Sequence, residues 1–163
     1  TAETYSWRQV SGPAVTLAGA TTARPTFTYP THALPAAPGP NPGFPYDNSA
    51  VVLELTVSNP AGVHSDQVVI RPQAETLSGI TARYRTGRTE WRVDGTSSLL
   101  AGQRVSVVLG NNLAGRVIGT TNVDATGAFS LRVTTTPPGA LRTISIITST
   151  GGRVLAAPVT VTN

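Results

Sequence analysis

The chain has 163 residues, 39% hydrophobic and only 12% charged, with 16 glycines and 13 prolines, a balance that suits short strands and tight turns better than amphipathic helices. It has no cysteine, no methionine and no lysine, and its net charge is +4, so disulfides, thiolate metal sites, cysteine nucleophiles and lysine cross-links are excluded. No apolar run approaches the roughly 18 residues of a membrane helix, and the arginines form no dense stripe of the kind that marks a nucleic-acid protein. The expectation is an all-β chain.

In chain order, residues 3–10 alternate as a strand should, with Tyr5 and Trp7 on one face and Thr4, Ser6 and Arg8 on the other. Ser11-Gly12-Pro13 predicts a turn, Val15 and Leu17 a second short strand, and Pro25–Tyr29 a third with Phe27 and Tyr29 on one face. Residues 30–48 form a loop whose prolines forbid a helix or a central strand and favour extended geometry. One reading is a tolerated surface insertion packed by Leu34, Phe44 and Tyr46; the other is a docking surface that also uses His32. Val51–Ser58 is the strongest strand signal, Asn59-Pro-Ala-Gly62 reads as a turn, and Val63–Arg71 returns as a strand.

Those segments carry a resemblance. Tyr5-Ser-Trp-Arg-Gln-Val-Ser-Gly-Pro-Ala-Val-Thr-Leu17, Leu53-Glu-Leu-Thr-Val-Ser-Asn59 and Asp66-Gln-Val-Val-Ile70 resemble polycystic-kidney-disease-type (PKD) and REJ-like immunoglobulin-fold modules over about residues 4–71. The resemblance implies an immunoglobulin-like sandwich that lacks one or two strands before Tyr5. Missing strands would leave an apolar groove and an unpaired edge, filled either by a longer parent polypeptide or by a neighbouring subunit. The lack of an initial methionine, with a strand beginning almost at residue 1, also suggests a piece of something longer.

Residues 73–77 read as a linker stiffened by Pro72. From Ser78 onward about seven strands follow: Ile80, Ala82 and Tyr84 alternate inward, Trp91 and Val93 return on the matching face, and Val105–Leu109, Val117–Thr121, Phe129–Val133, Ile144–Thr148 and Val154–Thr162 complete the count. Tyr84 to Ser98 and Val123-Asp-Ala-Thr-Gly-Ala-Phe-Ser130 resemble bacterial immunoglobulin-like repeats of secreted or cell-surface proteins, over residues 78–162. The domains expected are therefore 1–72, a PKD-like sandwich with the 30–48 loop, and 78–163, a bacterial immunoglobulin-like sandwich: two tandem antiparallel β-sandwiches, the first incomplete.

Catalytic chemistry finds little footing. His32 and His64 are the only histidines, no Gly-x-Ser-x-Gly elbow accompanies them, and no ligand spacing or calcium loop exists. No catalytic residue, metal site or cofactor is therefore expected. Asp94 and Asp124 each precede turn-forming residues and read as Asx-turn acceptors. The one charge cluster is Arg83, Arg85, Arg88 and Arg92. A two-residue Thr86-Gly87 hairpin would set Arg85 opposite Arg88, Arg83 opposite Glu90 and Thr81 opposite Arg92, leaving room for an anion or acidic partner, with a solvated face as the plainer alternative. Trp7 and Trp91 read as core anchors rather than sugar platforms.

Two functions follow as expectations. The first is a non-catalytic spacer or assembly module of a secreted or surface bacterial protein. The second is an adhesive or polysaccharide-binding accessory of an extracellular enzyme, acting through the proline loop (His32, Leu34, Phe44, Tyr46) or the arginine face.

Overall fold

A computed structural model describes residues 2–31, 34 and 49–163. Among these the chain divides into two compact units, one of residues 2–30 and 49–73, the other of residues 31, 34 and 74–163. Both are all-β apart from a single 3-10 turn at Thr86–Arg88. No helix of the described residues is long and apolar enough to cross a membrane.

The first unit is a three-stranded antiparallel sheet in the order β1 (Thr4–Ser11), β2 (Val51–Asn59), β3 (Gly62–Ile70). Alternation places Tyr5, Trp7 and Gln9 on the same face as Val57, Leu55 and Leu53 of β2. On that face Val51 and Leu53 are buried. The segment 13–30 was expected to supply two further strands, but it supplies only an isolated Ala18–Thr26 bridge.

Side chains of β1 explain why. The Gln9 amide donates to the carbonyls of Ser11, Gly12 and Pro13 and accepts the Val15 N–H, while the Trp7 indole N–H donates to the Thr22 carbonyl. Backbone groups that a ladder would need are thus bound to side chains, and prolines at 13, 25 and 30 remove three more donors. Gly12 is required at the turn: its φ is +93°, and a Cβ there would stand 2.2 Å from the Ala50 carbonyl oxygen.

The second unit is one seven-stranded sheet: β4 (Leu77–Arg85), β5 (Glu90–Ser97), β6 (Arg104–Leu109), β7 (Val117–Asn122), β8 (Ala128–Thr134), β9 (Thr143–Thr148) and β10 (Arg153–Thr162), in the order β7-β6-β9-β10-β4-β5-β8. The two end strands approach each other, and the Thr121 hydroxyl donates to the Ser130 carbonyl across the gap at 2.8 Å. The sheet is therefore nearly closed on itself. Its interior is filled by Trp91, Tyr84, Val93, Val105, Val107, Ile118, Ile144 and Ile146, each no more than 1% exposed. Tyr84 and Trp91 pack as a tilted pair with ring centroids 5.1 Å apart, and the buried indole N–H reaches the Thr136 carbonyl.

The expected pair of immunoglobulin-like sandwiches, and with it the PKD-type and bacterial repeat resemblances, is thereby corrected. β10 decides the matter in the second unit. Its first half pairs antiparallel with β9, its register shifts between Val154 and Ala157, where Ala156 takes φ +58°, and its second half pairs parallel with β4. One bent strand belonging to both halves turns what would be two facing sheets into a continuous near-barrel. In the first unit there is no second sheet at all among the described residues.

Candidate functional site

The arginines singled out from the sequence lie at one end of β4 and β5, but in a different register. Thr86–Arg88 form a 3-10 turn closed by Thr89 at φ +49°, whose N–H donates back to the Thr86 carbonyl. Four residues rather than two connect the strands, so every expected pair slides by two. Arg85 faces Glu90, Arg83 faces Arg92 and Thr81 faces Asp94. A slip of two keeps each side chain on its face, so Tyr84 and Trp91 still point inward and the arginines outward.

The next strand extends the pattern. Arg92 of β5 pairs with Arg132 of β8, and Thr160 of β10 pairs with Arg83. One row across the outer face therefore reads Thr160, Arg83, Arg92, Arg132. Glu90 sits in the neighbouring row and accepts Arg92 Nε at 2.5 Å, with Arg132 Nε at 3.9 Å. The Arg92 hydrogen bond, helped by the charges of Arg92, Arg132 and Arg85, holds the Glu90 carboxyl below the usual range. The Arg83 side chain has no hydrogen-bond or ion-pair partner among the described residues, and the Arg132 side chain is 64% exposed. Arg88 stands in the turn, where it lines an open hollow of about 430 Å³ with Arg85, Gly87, Thr162 and Asn163. A second hollow of about 270 Å³ flanks Arg83 between β4 and β10.

Of the proline-loop residues, His32, Phe44 and Tyr46 lie outside the described residues, and Leu34 is buried. His64 is exposed on β3. Asp124 accepts the N–H groups of Thr126 and Ala128 and the Thr126 hydroxyl, and these bonds, the hydroxyl's foremost, lower its pKa. That is the turn role expected of it. Asp94 is different: it lies mid-strand in β5 between Thr81 and Ser130, with no Asx turn, because β5 runs on to Ser97.

Two features carry no signal in the sequence. The first is Glu75, whose carboxylate gathers the Ser97 hydroxyl at 2.7 Å, the Thr150 hydroxyl at 2.6 Å, the Gly152 N–H at 2.8 Å and the Thr148 hydroxyl. Burial works to raise its pKa, but the four hydrogen bonds outweigh burial and hold the carboxyl below its usual range. It ties the entry to β4 to the β9–β10 turn, and a Cβ at Gly152 would stand 2.6 Å from its carboxyl carbon. The described residues contain no cluster of three His, Cys, Asp or Glu able to hold a metal.

The second feature is the edge of β3. Its nine pairs with β2 run without a register break, and Val63 and Val69 are 64% and 53% exposed. The Gln67 N–H is taken by the Asp66 carboxylate rather than by β2. Alternation then aims the N–H and C=O groups of Val63, Ser65 and Val69 away from β2 as well. At the opposite edge of the sheet the Trp7 N–H also points outward, but there it finds the Ala20 carbonyl at 2.8 Å.

No family model, no curated protein and no solved structure matches this chain. The functional reading rests on these surfaces alone.

Proposed function

We propose that the chain is a non-catalytic assembly module that receives an added strand from a neighbouring subunit along β3. The observation that supports this reading is the open β3 edge. Long, regular edges are templates for strand addition, and proteins blunt them with prolines, lysines, bulges or covering segments. Among the described residues β3 has none of these: its sequence Gly-Val-His-Ser-Asp-Gln-Val-Val-Ile carries one acidic residue and no proline. Among the described residues only the Asp66 carboxylate guards it, on the single amide of Gln67.

A second copy of the chain is the occupant that β3 suits. Antiparallel pairing of two β3 strands centred on Ser65 would set each His64 opposite the second copy's Asp66. It would also set Val63 opposite Gln67 across the joint, the Asp66 carboxylate releasing the Gln67 N–H as it turns to His64. An imidazole opposite a carboxylate favours that register over one that opposes the two Asp66 side chains.

Sedimentation velocity over a wide concentration range tests the reading, with Ser65→Pro as the blocking variant. Ser65 directs its N–H outward, so proline there leaves the β2–β3 ladder intact while removing a donor from the new joint. The expected result is a concentration-dependent dimer that Ser65→Pro abolishes. A wild type that stays monomeric throughout, or a dimer indifferent to Ser65→Pro, overturns it.

A further inference from the structure

The arginine face belongs to the second unit and owes nothing to β3. We infer that the outer face of β10, β4, β5 and β8 binds an acidic polysaccharide with one carboxylate per sugar, laid across the strands.

The direction follows from where like charges fall. Along β5 the outward side chains alternate in sign: Glu90, Arg92, Asp94. Across the sheet they agree, Arg83 beside Arg92 beside Arg132, with the Thr160 hydroxyl continuing the row. A ligand that meets three guanidinium groups in succession must therefore run perpendicular to the strands. Its anionic groups must recur at the strand spacing of about 4.8 Å.

That spacing discriminates among polyanions. It is close to the rise of one pyranose residue in an extended polysaccharide, whose carboxylates turn about the chain axis and are met by the long arginine side chains reaching round it. An extended acidic peptide advances ~3.4 Å per residue and ~6.8 Å per same-face pair, so neither of its spacings matches that of the strands. Single-stranded nucleic acid relies on exposed aromatic rings for base stacking, whereas Tyr84 and Trp91 are turned into the core.

The side-chain chemistry suits uronates. Guanidinium groups present paired donors that match a carboxylate, and three of them in a row give three such forks. Like charges opposed in a sheet are unfavourable without a counter-anion, and Glu90 serves only part of the row. It holds Arg92 at 2.5 Å and so orients the middle guanidinium, while Arg83 stays unpartnered and Arg132 is only loosely engaged. Hydroxyls of Thr81 and Thr160 border the hollow beside Arg83, where the sugar ring and its hydroxyls would rest.

Calorimetric titration of the intact chain with hexagalacturonate at low salt tests the inference, alongside a neutral glucan of equal length, hexaglutamate and hexathymidylate. The expected result is that hexagalacturonate binds most tightly and weakens as salt rises. Arg83→Ala and Arg132→Ala should each lower its affinity about fivefold, the upper range for an exposed charge pair. Arg71→Ala, which removes the same charge on the other unit, should leave binding unchanged, and circular dichroism confirms that each variant is folded. Ser65→Pro should also bind normally, which keeps this result separate from the fate of the β3 reading. No binding of hexagalacturonate, equal or tighter binding of hexaglutamate or hexathymidylate, or an Arg71→Ala loss as large as that of Arg83→Ala overturns it.

Discussion

The two units of this chain handle the edges of a β-sheet in opposite ways. In the second, seven strands curl until β7 and β8 are joined by the Thr121 hydroxyl, and the interior closes over Trp91 and Tyr84. In the first, three strands stay open: the β1 edge is held by the segment that follows it, through Trp7 N–H to Ala20, and the β3 edge has no neighbour among the described residues. The units also differ in how a cross-strand row treats charge. Arg8, Glu54 and Gln67 line up across β1, β2 and β3 as a satisfied row, with Arg8 2.6 Å from Glu54 and the Gln67 amide donating to the same carboxylate. Those two bonds, Gln67's foremost, lower the Glu54 pKa. The row Arg83, Arg92, Arg132 in the second unit is unsatisfied by comparison. The two units thus differ in what they leave exposed: the first neutralises the charges of its cross-strand row and leaves an edge open among the described residues, and the second brings its end strands together and leaves charge exposed.

The largest effect should come from breaking closure itself. Trp91→Ala removes a fully buried indole together with its bond to Thr136, and should destabilise the second unit by about 3–5 kcal/mol. Each unit contains one tryptophan, Trp7 or Trp91. Urea unfolding followed by Trp7 fluorescence in this variant, and by circular dichroism for the second unit, reads the two transitions separately.

Next comes a pair of substitutions that sharpens the account of the open edge. His64 directs its N–H toward β2, whereas Ser65 directs its own outward. His64→Pro should therefore cost the first unit about 3 kcal/mol by removing a ladder bond. Ser65→Pro should cost about 1 kcal/mol or less, since edge positions with outward N–H groups tolerate proline. Equal losses in urea unfolding would mean that β3 pairs in another register.

Glu75→Ala removes the acceptor shared by three hydroxyls and an N–H in the second unit and should cost about 1–3 kcal/mol at neutral pH. Because the folded-state pKa of Glu75 lies below its ordinary value, its stabilisation is present above the usual carboxyl range and disappears as pH falls through the folded value. The gap in urea midpoint between wild type and Glu75→Ala should thus shrink in acid. A gap that persists or widens there would assign the loss to packing instead.

How much of this was legible in the sequence differs between the same two regions. Strict alternation exposed β1, β2 and β3 and the inward set Ala82, Tyr84, Trp91 and Val93, because a period of two is a local property. The 13–30 segment misled, since Val15, Leu17 and Phe27 alternate like strand residues while the Val15 N–H and the Thr22 carbonyl are claimed by the side chains of Gln9 and Trp7. The β4–β5 register was lost at Thr89, a β-branched residue in a left-handed conformation that its type does not announce. Arg132 joins the row only through β8, and Glu75 meets Ser97, Thr148, Thr150 and Gly152 only through the sheet's closure. Long-range pairing of that kind leaves no mark on local spacing. The immunoglobulin-like resemblance failed for the same reason: strand and turn chemistry is shared by sandwiches and near-barrels alike, and the bend in β10 that separates them is a matter of pairing.

The most direct measurement is amide hydrogen exchange along β3, taken by nuclear magnetic resonance at low and high protein concentration. Strand addition to a second copy in the Ser65-centred register predicts that the outward amides of Val63 and Ser65 exchange rapidly in dilute solution and become protected together as concentration rises. The inward amides of His64 and Val68 should be protected in both. Outward amides that are protected even at high dilution, or that stay unprotected in the concentrated sample, would contradict the open edge as the site of assembly.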